Sequence, residues 1–136
     1  AFLGIEPRDD LVWAGDFTRQ GGYDAVRSHL SQIKSGAITA IFACNDLMAI
    51  GGIQALTEAK IDIPAQISLI GFDGIEVGQY LTPPLTTVQQ PIFRLGQEVS
   101  RVLLGQIEKK GEPVQITLPV KIINETNTIG PVPEGK

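Results

Sequence analysis

The sequence predicts an α/β protein with an open, mainly parallel sheet flanked by helices. Residues 38–44 and 67–72 are nearly continuous apolar runs, which is typical of strands buried on both faces of a parallel sheet. Apolar residues recur with helical spacing before and between these runs, at residues 18–36 and 47–60. The connections are short, as in successive βαβ units, and no internal repeat or low-complexity linker interrupts this order.

The first predicted strand and helix occupy residues 11–36. Residues 11–14 read Leu-Val-Trp-Ala, a short strand candidate that Gly15-Asp16 ends. Thr18 can then cap a helix, which Gly36 stops. The apolar residues that give this helix its spacing are Tyr23, Val26, Leu30 and Ile33.

The middle of the chain predicts a strand, a helix and another strand. Cys44 ends the strand at residues 38–44 and is expected to be a small buried hydrophobe. Asn45-Asp46 can cap the helix that follows, with Asp46 as a cap or hinge hydrogen-bonder. Gly51-Gly52 lies within this helix, where it indicates close packing more than phosphate contact. The apolar stripe of the helix consists of Leu47, Ile50, Ile53 and Leu56.

The last third of the chain predicts two short strands around a long helix. A proline-rich turn at residues 82–84 precedes a strand at residues 86–88. A helix is predicted over residues 93–109, and a final strand over residues 116–123. The apolar side of the helix consists of Leu95, Val99, Val102, Leu103 and Ile107.

The composition excludes several classes of protein. The 15 acidic and 11 basic residues give a formal charge of −4, which argues against direct contact of this segment with DNA or RNA. One cysteine cannot form an intrachain disulfide, and one histidine cannot anchor a histidine-rich metal site. The apolar runs are far shorter than the ~20 residues of a membrane helix, and no charged-then-apolar leader opens the chain. We therefore expect a cytoplasmic location, no membrane contact and no cofactor.

A binding site is expected at the carboxyl ends of the predicted strands, because ligands bind there in open parallel sheets. Phe17, Asn45 and Asp73 each follow a predicted strand. They offer a flat aromatic face, an amide donor and acceptor, and an ionised acceptor for hydroxyl or amino groups. These groups suit a neutral polyhydroxy or heterocyclic ligand.

Plainer roles for the same residues stay open at this point. Phe17 could belong to the core, and Thr18 and Asn45 could serve only as helix caps. The sequence contains no phosphate loop, no Gly-x-Ser-x-Gly elbow, no Cys-x-x-Cys and no paired carboxylates with a histidine base. It therefore predicts a binding protein and not an enzyme. A nicotinamide-dependent enzyme is disfavoured because no glycine-rich turn follows the first predicted strand.

Several ordered stretches resemble the LacI/GalR family of bacterial transcriptional repressors. They are GDFT at 15–18 with GY at 22–23, AIFACNDLMAIG at 40–51, IP at 63–64, ISLIGFDGI at 67–75, and PPLTTVQQP at 83–91 with LG at 95–96. The resemblance implies the C-terminal lobe of a type I periplasmic-binding-protein-like fold, with a ligand between two lobes. It also implies an aromatic stacking role for Phe17, ligand hydrogen bonds for Asn45 and Asp73, and a polar group at the lobe crossover for Gln90.

The resemblance further implies a homodimer and a division of the chain. The dimer interface would include Leu47, Ile50, Gln54, Tyr80 and Leu81, of which the pair Tyr80-Leu81 is expected to be exposed. The division would be a lobe at residues 1–90, a crossover helix at 91–112 that packs on the missing N-terminal lobe, a returning strand segment at 113–130 and a disordered tail at 131–136. The abrupt start at residues 1–5 also suggests a fragment.

The family's pattern is followed only in part. Members often carry two aspartates after Gly-Phe, whereas this chain has Asp73-Gly74, so only one carboxylate can be carried over. The resemblance implies the effector-binding and dimerisation part of a repressor that contacts DNA through a missing N-terminal headpiece. The effector would be a sugar, a sugar phosphate or a purine. The alternative is a periplasmic sugar-binding protein of an uptake system.

Overall fold

The computed structural model describes residue 6, residues 8–108 and residues 114–131. Four α-helices, four β-strands and two short 3-10 helices occur in these residues. The α-helices are α1 (Arg19–Ser28), α2 (Leu30–Lys34), α3 (Asp46–Glu58) and α4 (Ile92–Ile107). The strands are β1 (Ala40–Phe42), β2 (Ser68–Asp73), β3 (Thr87–Gln89) and β4 (Lys121–Ile123). The 3-10 helices are Asp9–Leu11 and Glu76–Tyr80.

The sheet is open and mainly parallel, as the sequence predicts. Its strand order is β1-β2-β3-β4. The pairs β1-β2 and β2-β3 are parallel, with Ile41 opposite Leu69 and Asp73 opposite Gln89. β4 runs antiparallel to β3, with Ile122 opposite Val88. The carboxyl ends of the three parallel strands therefore share one edge of the sheet.

Thr18 begins α1 as predicted, but the helical segment is divided in two. The Thr18 Oγ1 accepts a hydrogen bond from the Gly21 amide at 3.0 Å. The division falls at His29, which has φ −110° and lies between α1 and α2. The His29 Nδ1 lies 2.8 Å from the carbonyl oxygen of Ala25.

Residues 11–14 do not form the predicted strand. The 3-10 helix ends at Leu11, and the residues that follow are extended but pair with no strand of the described part of the chain. Val12 is 76% exposed, and the Trp13 ring stacks on His29 with centroids 4.1 Å apart. An apolar segment becomes a strand only where a neighbouring strand supplies its hydrogen bonds, and none of the strands that the structure describes does so here.

β1 is an edge strand, so the prediction that it is buried on both faces was wrong. It spans three residues and pairs only with β2 among the described residues. Phe42 is 60% exposed, and Cys44 is exposed rather than buried. The apolar run at residues 38–44 indicated a strand correctly, but composition does not indicate whether a second partner is present.

α3 packs tightly between α1 and the sheet. Asn45 begins it, accepting a hydrogen bond from the Met48 amide at 2.8 Å. Gly51 lies so close to α1 that a Cβ there would meet the carbonyl oxygen of Arg19, and a Cβ on Gly22 of α1 would meet the Met48 backbone. The close packing predicted for Gly51 is therefore confirmed. The core residues around α3 include Val26, Ala49, Ala55, Leu56, Ile67, Leu69 and Leu85.

α4 confirms the predicted long helix but buries no residue. Its apolar side is at the surface, with Leu95 41%, Val99 57% and Leu103 57% exposed. β4 is shorter than the strand predicted over residues 116–123. The predicted tail beyond residue 131 and the opening residues 1–5 lie outside the described residues.

Candidate functional site

The turn before α1 presents Phe17 to solvent. Phe17 has φ 62° and is 64% exposed, so it is not a core residue. The Asp16 carboxylate fixes this turn by accepting hydrogen bonds from the Thr18 hydroxyl at 2.7 Å and the Thr18 amide at 3.0 Å. These two bonds favour the ionised carboxylate and lower the pKa of Asp16 below its usual value.

Asn45 ties the Phe17 turn to the start of α3. Its Oδ1 caps the helix, and its Nδ2 donates to the carbonyl oxygen of Phe17 at 2.9 Å. A carboxamide carries two amide hydrogens and two acceptor lone pairs, so one of each is left for a ligand. The predicted ligand contact of Asn45 and its capping role are therefore compatible.

Asp73 and Gln90 meet at the adjoining strand ends. The Gln90 Nε2 donates to the Asp73 Oδ1 at 2.7 Å, and the Gln90 amide donates to the Asp73 carbonyl at 3.1 Å. Asp73 is half-buried with φ 112°, and Gly74 follows with φ 77°. The Asp73 Oδ2 accepts no hydrogen bond from the described part of the chain, which leaves it available to a ligand.

Asp46 is the hinge hydrogen-bonder of this site and not its helix cap. It is fully buried, and its Oδ2 accepts hydrogen bonds from the amides of Gly74 and Ile75 at 2.8 Å each. The Thr87 hydroxyl donates to its Oδ1 at 2.6 Å. Sequence reasoning missed these partners, because nothing local to residue 46 indicates groups 28 to 41 positions away.

The predicted ligand residues thus form two pairs joined through the start of α3. Phe17 and Asn45 are in direct contact, as are Asp73 and Gln90. Asn45 binds the Phe17 carbonyl directly, whereas Asp46 binds the two amides that follow Asp73. Asn45, Asp73 and Gln90 lie at or just beyond the carboxyl ends of β1, β2 and β3. Phe17 joins them through its contact with Asn45, since no strand precedes it.

The predicted dimer residues lie on α3 and on the segment after β2. Leu47 is 44% exposed, Ile50 is half-buried, and Gln54 accepts a hydrogen bond from Arg19 at 2.5 Å. Tyr80 is 75% exposed, as predicted. Leu81 is half-buried against the core, so the expectation that it is exposed was wrong. Leu81 directly follows the 3-10 helix Glu76–Tyr80.

A separate groove of about 340 Å³ lies between residues 11–13 and the free edge of β1. Its lining is mainly apolar and includes Leu11, Trp13, Val26, Ile38 and Leu69. The buried Nε1 of Trp13 has no hydrogen-bond partner within the described ranges. None of Phe17, Asn45, Asp73 and Gln90 lines this groove, so it is distinct from the predicted site.

Comparison with known proteins identifies the fold. A family profile described as a periplasmic binding protein-like domain matches residues 3–125. The chain belongs to this family. Its relatives and structural neighbours are LacI/GalR regulators, which confirms the predicted fold and the resemblance found in the sequence.

Three comparisons define the relationship of this periplasmic-binding-protein-like chain to known regulators. It is 42% identical over 115 residues to the HTH-type transcriptional repressor PurR of Haemophilus influenzae, covering 85% of the chain and 33% of the relative. It is similar to a LacI family transcriptional regulator from Enterococcus faecium with bound ribose, with TM-score 0.78, 36% identity, and 88% and 43% of the two chains covered. For the lac repressor dimer bound to operator and the anti-inducer ONPF, the TM-score is 0.74, the identity 31%, and the coverage 85% and 40%. The chain spans about a third of the length of the curated relative.

Among the described residues, no group of three or more histidine, cysteine, aspartate or glutamate residues could hold a metal ion. Within the same residues, no helix is long and apolar enough to cross a membrane.

Proposed function

We propose that this chain is the ligand-sensing and dimerisation part of a transcriptional repressor, and that a small effector binds at the edge bearing Phe17, Asn45, Asp73 and Gln90. The observation that carries the proposal is the linkage of these four residues, partly through backbone groups, to the first residues of α3. The similarity to repressors, one of them with bound ribose, supports it. We propose a cytoplasmic location, because a repressor acts on DNA, and we propose that a headpiece outside this chain makes the DNA contact.

A neutral sugar is the effector class that the site chemistry favours. Phe17 offers an exposed flat face, and Asp73 an acceptor oxygen for sugar hydroxyls. The carboxylates at this edge, Asp16 and Asp73, are hydrogen-bonded to neutral partners and not to a cation. They would repel a phosphate group, which disfavours a sugar phosphate. A purine remains the second candidate because it could stack on Phe17.

The proposed mechanism is a population shift. An effector between two lobes favours one closure angle and thereby changes the placement of the two DNA-binding headpieces in a dimer. It can bias this equilibrium only by the difference between its affinities for the two states, typically ~1–3 kcal/mol. The predicted division of the chain at residues 90, 112 and 130 stays a prediction within this proposal. The relatives reported above are repressors, which favours regulation over the uptake alternative.

Binding to the full-length protein should depend on Phe17 and Asp73. We expect a sugar from a panel that includes ribose to raise the melting temperature. At 100 times its dissociation constant, the sugar should add about 2.7 kcal/mol to the free energy of unfolding. Asp73→Asn should weaken binding by roughly 10- to 100-fold, because it removes a charge-assisted hydrogen bond. Phe17→Ala should weaken it similarly and Phe17→Tyr should retain it, as measured by isothermal titration calorimetry.

The matched control for this experiment is Asp24→Asn, which removes an exposed carboxylate from α1. We expect no change in affinity for this variant. A sugar that binds with equal affinity to wild type, Phe17→Ala and Asp73→Asn would refute the proposed site. A melting temperature raised only by nucleobases would assign the purine class instead.

Dimerisation is proposed to use the exposed side of α3 and Tyr80. Leu47, Ile50 and Gln54 have the spacing of one helix face, and Leu47 and Tyr80 are exposed apolar groups of the kind found at interface centres. Leu47→Glu and Tyr80→Glu should each weaken the dimer of the full-length protein at least ~10-fold, because each buries an unpaired charge. Sedimentation velocity measures this. The control Val120→Glu alters a residue of similar exposure, 52%, and should leave the dimer intact.

A further inference from the structure

We propose that Asp46 is a positioning residue that sets the geometry of the effector site without touching the effector. It fixes the Asp73 carboxylate through the two amides that follow Asp73 in the chain. The assignment rests on the proposed function, because it specifies how the same site is organised.

The Asp46 carboxylate is bound entirely by hydrogen bonds from other elements of the fold. Its Oδ2 accepts from the Gly74 and Ile75 amides at 2.8 Å each, and its Oδ1 accepts from the Thr87 hydroxyl at 2.6 Å. Both Asp46 and Thr87 are fully buried. No lysine or arginine of the described residues forms an ion pair with it. A buried carboxylate without a cation depends on its hydrogen-bond donors, so this geometry is strongly specified.

The Asp46 carboxylate lies in a closely packed space beside β2. A Cβ on Gly71 of β2 would collide with the Asp46 Oδ1 and would also lie 3.1 Å from the Leu85 side chain. Glycine at position 71 therefore makes room for the carboxylate against the sheet. The Ala49 side chain would lie 3.3 Å from the same Cβ, so the walls of this space are closely packed.

The segment that Asp46 holds has an unusual backbone. Asp73 has φ 112° and Gly74 has φ 77°, and an L-residue rarely adopts a positive φ such as that of Asp73. Such conformations persist only where the surrounding structure imposes them. The amides of Gly74 and of the next residue bind Asp46, and the side chain of Gln90, the residue after β3, binds the Asp73 carboxylate.

Asn45, the residue before Asp46, links the start of α3 to the turn that carries Phe17. It holds the Phe17 carbonyl, and Phe17 also has a positive φ, of 62°. The backbone of two adjacent residues therefore connects the aromatic and the acidic sides of the proposed site. A displacement of the Asp46 side chain should change the position of Asp73 relative to Phe17, and hence the fit of an effector that contacts both.

The experiment compares wild type with Asp46→Asn and with Thr87→Val. An asparagine removes the charge, so its single oxygen accepts from the loop amides as a neutral, weaker acceptor while its Nδ2 faces the Thr87 hydroxyl. In Asp46→Asn we expect the Gly74 and Ile75 amides to exchange with solvent at least tenfold faster, and the Gln90 side-chain amide resonances to shift. We expect ribose, or another panel sugar that the wild type binds, to bind the folded full-length variant at least tenfold more weakly.

Controls separate positioning from simple loss of stability. Thr87→Val keeps Asp46 and removes one donor, so a smaller change in the same direction is expected, and Thr87→Ser should restore wild-type behaviour. Asp24→Asn, on the exposed side of α1, should change none of these readouts. Thr87→Val also provides the measurement if Asp46→Asn fails to fold.

The outcomes distinguish this inference from the proposed function. If the Gly74 and Ile75 amides exchanged at the wild-type rate in Asp46→Asn and the Gln90 resonances did not shift, the positioning role of Asp46 would be overturned, whichever ligand binds. Faster exchange with unchanged sugar affinity would also overturn it and leave the proposed function standing. If no sugar bound the wild type, the proposed function would fail, and the exchange rates and Gln90 resonances would still decide whether Asp46 positions Asp73.

Discussion

Gly51→Ala is expected to lower the free energy of unfolding by about 2 kcal/mol, despite the higher helix propensity of alanine. The added Cβ would meet backbone atoms of Arg19 and Tyr23, which cannot rotate away as a flexible side chain can. The clash would force α1 and α3 apart and open the core beside Val26. Overpacking of this kind typically costs ~1–3 kcal/mol, and a contact with backbone belongs at the upper end. The gain in helix propensity, about 1 kcal/mol, is subtracted from that cost. Urea denaturation followed by circular dichroism measures the change.

Gly96→Ala is the matched control for this substitution. Gly96 lies in the exposed helix α4, and a Cβ there would meet nothing within 4 Å. We expect stability to stay the same or to rise by up to ~1 kcal/mol, since only helix propensity changes. Equal stability of Gly51→Ala and Gly96→Ala would show that the two helices do not approach as closely as the structure has them.

Thr128→Val should cost about 2–4 kcal/mol, because it leaves two buried backbone groups without a partner. The Thr128 hydroxyl accepts from the Thr86 amide at 2.9 Å and donates to the Leu69 carbonyl at 2.6 Å. Thr128 is 1% exposed, so water cannot replace the hydroxyl without rearrangement. Valine keeps the shape of the side chain, so the effect isolates these hydrogen bonds. The measurement is again the free energy of unfolding in urea.

Two companion variants test the reason for this loss. Thr128→Ser keeps the hydroxyl and should retain most of the stability. Thr126→Val changes an exposed threonine of the same segment and should stay within ~0.5 kcal/mol of wild type. If Thr128→Val were as stable as Thr126→Val, the hydrogen bonds of the Thr128 hydroxyl to Thr86 and Leu69 would not stabilise the fold.

Local signals in the sequence were sufficient to predict where α1 and α3 begin and which apolar run forms β2. Thr18 and Asn45 begin α1 and α3, because a short polar side chain can bond an amide two or three residues ahead wherever the rest of the chain lies. The apolar run at residues 67–72 became β2, a strand with a partner on both sides. The ordered motifs at residues 15–96 were sufficient to predict the family, because a family is recognised from the order and spacing of residues in the sequence.

Contacts between distant segments could not be predicted. Residues 11–14 have the composition of a strand, yet strand formation depends on a neighbour that composition does not describe. The apolar run at residues 38–44 likewise became an exposed edge, with Phe42 at the surface. Its number of partners is a property of the assembled sheet.

The candidate site also combines features that the local sequence predicts with features that depend on contacts between distant segments. The sequence by itself determined that Asn45 and Asp73 follow strands that meet at one edge of a parallel sheet. It placed Phe17 after a strand that does not form, and Gln90 was assigned only through the family resemblance. Only the tertiary structure decided how they are held, through a buried Asp46 bonded to groups on two other segments. The reason is physical: capping and periodicity act over a few residues, whereas burial of a carboxylate depends on donors brought from 28 to 41 positions away by folding.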